Sequence, residues 1–282
     1  MIRNALVLFC YLVFTCCAPA YGRTAMKFLN SLVFTGMPDL GQYGFMSNHV
    51  IYGNVWNGVA VVPDANGNNL PNEAGTRQII RSIIASGYRG LLQWDIEGIG
   101  WDWDPRWHPN THQQGIANFQ KILEWSKDEA KGLLRIGNYY FPPDSDYRGN
   151  SAAQLADLKA ADDALAPLTA LVDDFYPQAY TFDNDTSFWV DSIATKVAEC
   201  RRIAPGKPIY PYIWPQYHPM TGRPLAGTYV PGEFWFLQLA TLKALKVDGV
   251  VFWGGYKTPW DPNQGWWRET LKFLAMENPG RL

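Results

Sequence analysis

The sequence predicts an α/β protein, a (β/α) TIM-type barrel of seven or eight strands. Three observations predict it. Short apolar, β-prone runs alternate with helical segments down the whole chain, the pattern of parallel strands joined by crossover helices. The richest loops, residues 98–110, 141–150, 214–232 and 254–265, each directly follow a strand, as they do on the C-terminal rim of a barrel. No G-x-G-x-x-G follows an early strand, which disfavours a dinucleotide-binding sheet.

The elements follow in order. Residues 1–20 read as a secretory signal peptide: Arg3 is the positive start, Ala5 to Thr15 is almost wholly apolar, and Ala18-Pro19-Ala20 is a small-x-small cleavage site. The expected product is one catalytic barrel domain over 21–282, secreted or periplasmic. A lipoprotein signal using Cys16 is the rival, although Thr15 is bulky for the position before a lipidated cysteine. The apolar run is shorter than the ~20 residues of a membrane span, and no other candidate span occurs. Early strands are expected at Leu32 to Thr35, His49 to Tyr52 and Val55 to Val61. A helix from Asn72 or Glu73 to Ser86 carries Ile79, Ile80, Ile83 and Ile84 at helical period and ends near Gly87. Strand Leu91 to Trp94 comes next, then helix Thr111 to Lys131 and strand Leu133 to Tyr140. Ser151 caps a helix from Ala152 to Ala166. Strand Asp174 to Tyr180, helix Ser187 to Ile203, strand Pro208 to Trp214, helix Glu233 to Leu245, strand Gly249 to Trp253 and helix Gly265 to Met276 complete the alternation.

Composition narrows the function. With 282 residues and 47% hydrophobic content the chain can bury one large core. A net charge of −2 lacks the basic excess of a nucleic-acid binder. Of four cysteines only Cys200 lies clearly beyond the leader, where it reads as a small buried hydrophobe on a helix, so no internal disulfide is expected. The four histidines form no metal motif, since Pro109 separates His108 from His112. No P-loop and no G-x-S-x-G elbow is present. Asp183-Asn184-Asp185-Thr186 reads as a helix cap. No cofactor and no metal are expected, and the protein is expected to be a monomer.

The chemistry is concentrated at Trp94-Asp95-Ile96-Glu97. Alternate side chains on a strand share a face, so Asp95 and Glu97 stand together, with backbones about 6.6 Å apart. Carboxylates pressed together repel, and one can be driven to hold a proton. A protonated acid beside an ionised one is the apparatus of glycoside hydrolysis. Aromatic residues fill the loops around the pair: 13 tryptophans are present, and Trp101, Trp103, Trp107 and Trp260 sit among Asp102, Asp104 and Asp261. Flat rings stack on sugar faces while acids bind hydroxyls. Trp266 and Trp267 fall in the last helix and read as cover for the barrel end. Tyr176, Gln178 and Tyr180 alternate on one strand face, as do Tyr210, Tyr212 and Trp214, where a barrel wall normally carries Val, Ile and Leu.

In this order the motifs resemble the hyaluronidase family of glycoside hydrolases, colinearly from about residue 50 to 255. Residues 90–97 look like that family's strand with its Asp-x-Glu pair. Residues 137–142 and 175–180 look like its two tyrosine strands, and residues 249–254 like its closing strand. The resemblance implies a distorted barrel and a retaining, substrate-assisted reaction on a polysaccharide or oligosaccharide containing N-acetylhexosamine. It implies that Glu97 is the acid and then the base, and that Asp95 orients the acetamido group. Tyr139 and Tyr180 would hydrogen-bond that group and Trp253 would wall it. Tyr212, Trp214, Trp101 and Trp103 complete the expected substrate contacts. The chain departs from the family at Gly98, where an acid is usual, at Trp214, where an arginine is expected, and in lacking the family's disulfides. These departures leave neutral and uronate-bearing glycans both open. Two rival readings are a non-catalytic glycan-binding barrel and a two-carboxylate glycosidase whose nucleophile, such as Asp144 or Asp183, comes from another rim loop.

Overall fold

The computed structural model describes residues 25–101, 112–145 and 149–277. In chain order its strands are β1 (Lys27–Leu32), β2 (Met46–Ser47), β3 (His49–Ile51), β4 (Val61–Pro63), β5 (Asn69–Pro71), β6 (Gly90–Trp94), β7 (Leu134–Asn138), β8 (Tyr212–Ile213) and β9 (Gly249–Gly254). Its α-helices are α1 (Gly53–Trp56), α2 (Glu73–Ala85), α3 (His112–Ala130), α4 (Ala152–Ala164), α5 (Ala166–Leu171), α6 (Thr186–Ile203), α7 (Gly232–Ala244) and α8 (Gly265–Glu277). The expected leader and Trp103 and Trp107 lie outside the described residues.

The strands close into a ring. β1 pairs in parallel with β9 on one side and β2 on the other. Only Asn48 separates β2 from β3, which pairs with β6, which pairs with β7. Parallel bridges Tyr139↔Tyr176, Phe175↔Ile209 and Gln178↔Tyr212 carry the ring to β8, and β8 returns it to β9. Seven strand positions, all parallel, therefore form the barrel, with β4 and β5 as a separate antiparallel hairpin outside it. Crossover helices from α2 onward cover it, as a parallel sheet requires.

Several expected strands are corrected. Asp174 to Tyr180 and Pro208 to Trp214 form single bridges and the two-residue β8 instead of full ladders. Pro177, Pro208 and Pro211 have no N–H to donate, so these segments keep the strand path but lose alternate ladder bonds. Their carbonyls still accept, from Tyr212, Phe175 and Val251 respectively. The first strand lies at Lys27–Leu32, earlier than expected; past it, Val33 bonds to Gly254 at the end of β9 and Thr35 to Thr258 beyond β9. The span Val55 to Val61 is divided between α1 and β4, with a left-handed turn at Gly58 (φ 78°). The helix expected to reach Ala166 stops at Leu165, where Pro167 opens α5.

Helix chemistry follows the sequence elsewhere. Ser151 caps α4 in a reciprocal capping box with Gln154, and Asp185 caps α6 through the Phe188 N–H. Ile79, Ile80 and Ile83 of α2 are buried, each stabilising by roughly 1.5–3 kcal/mol. Cys200 is buried and unbridged on α6. Trp266 and Trp267 are buried at the barrel end with Phe34, Tyr43 and Trp235 around them, and Trp260 packs edge-on against both. Inside the barrel lies a second apolar cluster, built of Leu29, Leu91, Tyr139, Tyr176, Tyr180, Tyr210, Tyr212 and Val251.

Candidate active site

The site is the upper layer of that tyrosine-lined interior. Leu91, Gln93, Asp95 and Glu97 take successive inward positions, while Leu92, Trp94 and Ile96 join the outer core. Asp95 continues the ladder past β6 by donating its N–H to Ile51, and its carbonyl accepts from the Trp56 indole at 2.7 Å. The backbone at Asp95 is therefore held by β3 and α1. The chain then turns away at Gly98 (φ 70°), a left-handed position that a side chain disfavours.

Asp95 and Glu97 line one cavity of about 100 Å³ with Tyr139, Gln178, Tyr180, Tyr212, Trp214, His218 and Trp253. Of the residues expected to act on or contact substrate, Asp95, Glu97, Tyr139, Tyr180, Tyr212, Trp214 and Trp253 line this cavity, and Trp101 does not. Trp101 is buried, donates its indole N–H to the Asn69 carbonyl at 3.0 Å, and lines a neighbouring cavity that Glu97 also borders. Asp144 and Asp183 line neither cavity. Asp144 is buried against Asp162, and Asp183 pairs with Arg223 at the surface.

Aromatic contacts set the cavity walls. Trp214 meets Trp253 edge-on at 4.6 Å, and Tyr180 lies 5.6 Å from Trp253 and 6.0 Å from Tyr139. A Cβ at Gly254 would stand 2.2 Å from the Trp214 indole nitrogen, so glycine is what lets Trp214 close the wall. Hydrogen bonds lock the rings: Gln178 donates to the Tyr139 hydroxyl, the Tyr212 hydroxyl donates to Gln93, and the Trp253 indole donates to the Tyr52 hydroxyl. Tyr52 and His218 were not singled out in the sequence. Tyr52 ends the run of β3 at its last inward position, a signal like that of Tyr180. His218 stacks on Tyr180 at 5.8 Å but sits in an irregular loop, which carries no periodic signal.

The electrostatics are set by burial. Burial, reinforced by Glu97, pushes the Asp95 carboxyl up to about 7. Its Oδ1 is buried without a hydrogen-bond partner. Burial also holds the hydroxyls of Tyr139, Tyr180 and Tyr212 far above the usual tyrosine range, so all three remain protonated donors. Burial lowers His218, leaving it neutral at pH 7. Among the described residues no cluster of His, Cys, Asp and Glu could hold a metal ion, and no helix is long and apolar enough to cross a membrane.

Fold and site together define a closed parallel barrel with a carboxylate pair in an aromatic cavity at its C-terminal rim. Bee venom hyaluronidase has this fold. One crystal structure of it superposes with a TM-score of 0.59 at 16% identity, covering 88% of this chain and 95% of that one. A second, in complex with a hyaluronic acid tetramer, gives 0.58 at 17% identity, covering 90% and 96%. A putative alpha-L-fucosidase from Bacteroides thetaiotaomicron gives 0.49 at 12% identity over 90% and 80%. No family model and no curated protein sequence matches the chain.

Proposed function

We propose that the protein is a retaining glycoside hydrolase that cleaves an N-acetylhexosamine-containing glycan with the substrate's own acetamido group as nucleophile. One observation carries the reading. The cavity holds two carboxylates two residues apart on one strand, and one of them presents a buried oxygen with nothing bound to it. Two acids so placed are badly arranged to flank a bond as acid and nucleophile, whereas substrate-assisted enzymes need only one acid and one orienting group. The acetamido N–H is the donor that Asp95 Oδ1 lacks.

The chemistry then balances within the cavity. The acetamido carbonyl oxygen attacks the anomeric carbon as the glycosidic C–O bond breaks and Glu97 gives its proton to the departing oxygen. Asp95 takes the acetamido N–H and offsets the positive charge of the cyclic oxazolinium intermediate. The Tyr139 and Tyr180 hydroxyls orient the acetamido oxygen, and Trp253 and Trp214 exclude water from its methyl group. Water next attacks the anomeric carbon, gives its proton to Glu97, and restores the acetamide with retention of configuration. The hyaluronic acid tetramer in the bee venom enzyme supports a polysaccharide as the substrate class. The leader-like sequence at residues 1–20 supports export.

The test is turnover of a panel of N-acetylhexosamine glycans by wild type and Glu97→Gln. Loss of at least a hundredfold in kcat is expected, the usual worth of a general acid. Equal turnover would sink the assignment. Binding without turnover in either protein would identify a glycan-binding barrel instead.

A further inference from the structure

We infer that His218 hydrogen-bonds a hydroxyl of the sugar that reacts in the Asp95 cavity, and that this contact helps select the N-acetylhexosamine the protein cleaves. The inference rests on the hydrolase reading and deepens it, since that reading gives His218 no task. His218 lines the cavity together with Asp95 and Glu97. The space is about 100 Å³, well under the roughly 300–1,000 Å³ of a pocket for a drug-sized ligand, so it admits one sugar at most. The sugar whose acetamido group meets Asp95 is therefore the sugar beside His218.

The loop after β8 is built to deliver this side chain. Tyr217 donates its N–H to the Thr228 carbonyl at 2.8 Å, and its carbonyl accepts from the Gly227 N–H at 3.0 Å. Gln216 bridges Tyr229, so the two arms of the loop pair as antiparallel strands. The His218 N–H then donates to the Thr181 carbonyl at 2.8 Å, which ties the loop to the residue after Tyr180. Three rings hold the imidazole itself. Tyr180 stacks on it at 5.8 Å, Phe182 lies at 4.9 Å, and Trp214 meets it edge-on at 5.5 Å. A ring so clamped needs little ordering when a sugar arrives.

Packing alone does not account for a histidine here. The same rings would hold a phenylalanine without burying a nitrogen. His218 Nδ1 is buried and has no hydrogen-bond partner among the described residues. Such an atom costs stability unless a ligand supplies the bond. Burial keeps the ring neutral at pH 7, so Nδ1 is either a donor or an acceptor, set by the tautomer. A sugar hydroxyl serves both cases, because it donates and accepts. The acetamido N–H only donates, and it is already engaged by Asp95.

The test is a cycle of substrate and protein changes. Oligosaccharides that each lack one hydroxyl of the reacting N-acetylhexosamine are compared with the parent on wild type and on His218→Phe. Phenylalanine keeps a ring against Tyr180, Phe182 and Trp214 and removes both nitrogens. For one deoxy substrate wild type should lose at least about tenfold in kcat/KM. His218→Phe should cleave that substrate and the parent about equally, while the other deoxy substrates change by the same factor in both proteins. His218→Asn, which restores a donor and an acceptor, should recover part of the discrimination. His218→Leu is read in the same cycle, so the outcome does not hang on the folding of one variant. Losses that match in wild type and variants for every deoxy substrate would overturn the inference and leave His218 as packing. Calorimetric binding of the same sugars to Glu97→Gln, with and without His218→Phe, separates the two levels. Turnover by wild type without coupling at any hydroxyl keeps the hydrolase reading and rejects this one. Coupling in binding without turnover by wild type keeps the His218 contact and rejects the hydrolase reading. Neither turnover nor binding rejects both.

Discussion

The Trp253 indole donates a 2.8 Å hydrogen bond to the Tyr52 hydroxyl, joining β9 to the residue after β3 across the mouth of the barrel. Trp253 closes the cavity, and Tyr52 also shares a hydrogen bond with Tyr256 at the rim. The bond therefore fixes the plane of a ring that walls the cavity. Tyr52→Phe removes the acceptor and leaves the indole N–H unpaired, a loss of roughly 1–3 kcal/mol. We expect kcat/KM on N-acetylhexosamine glycans to fall about tenfold or more, with the larger part in kcat. A purely structural bond would lower the melting temperature and leave the kinetic constants of the folded enzyme unchanged.

Asp95 yields a pH-dependent prediction. Its carboxyl is raised from 3.8 to about 7, so the folded protein holds that proton more tightly than the unfolded chain does. Its stabilising protonated form is complete below the ordinary aspartate value and is lost as pH rises to about 7. Asp95→Asn is neutral at every pH. The variant should gain melting temperature over wild type between about pH 4 and about pH 7, hold that gain above, and lose activity throughout. Melts at about pH 4, 6 and 8 measure this, and a difference constant with pH would refute the buried-acid account.

Asp162 is a second raised acid with a wider window. Burial pushes it up to about 9, and its Oδ1 accepts the Asp144 N–H at 2.6 Å while it shares a hydrogen bond with Glu199. Asn can keep the first contact through its carbonyl and supply a donor to Glu199 through its amide. Asp162→Asn should therefore gain stability over wild type that keeps growing between about pH 7 and about pH 9, where the Asp95→Asn gain has levelled. Each kcal/mol gained corresponds to roughly 2–4 °C for a chain of this size. A gain already complete at pH 7 would contradict the assignment.

These residues also show what was legible in the sequence. Asp95 and Glu97 could be paired because strand alternation is local, and the helices could be placed because spacing and caps are local. The barrel's closure could not be read in detail. It runs through β2 and β3, only five residues with Asn48 between them, and through two segments whose prolines break the ladder. His218 reaches the cavity only once the ring has closed, so no local pattern marks it, whereas Tyr52 follows the alternation of β3. Trp101 looked like a rim platform because it sits beside Asp102 in a tryptophan-rich loop. Its indole instead satisfies the Asn69 carbonyl of the β4–β5 hairpin, a partner that no spacing reveals.

Gly137 is where the barrel interior and the site are most tightly coupled. A Cβ there would lie 2.3 Å from Cε2 of Tyr176, well inside contact distance. Tyr176 cannot yield readily, because it is fully buried, stacked on Tyr210 at 5.6 Å and edge-on to Tyr212 at 6.2 Å. Gly137→Ala should cost roughly 1–3 kcal/mol in denaturant unfolding, as overpacked cores do. Tyr139 is two residues further on the same face, so the strain should also displace its hydroxyl and lower kcat. Tyr176→Leu is the diagnostic partner. It removes the ring edge that the new methyl strikes, so the double variant should recover stability beyond the sum of the two single changes. Strict additivity would mean that the glycine is needed for its backbone alone and that the crowded tyrosine layer does not transmit strain to Tyr139.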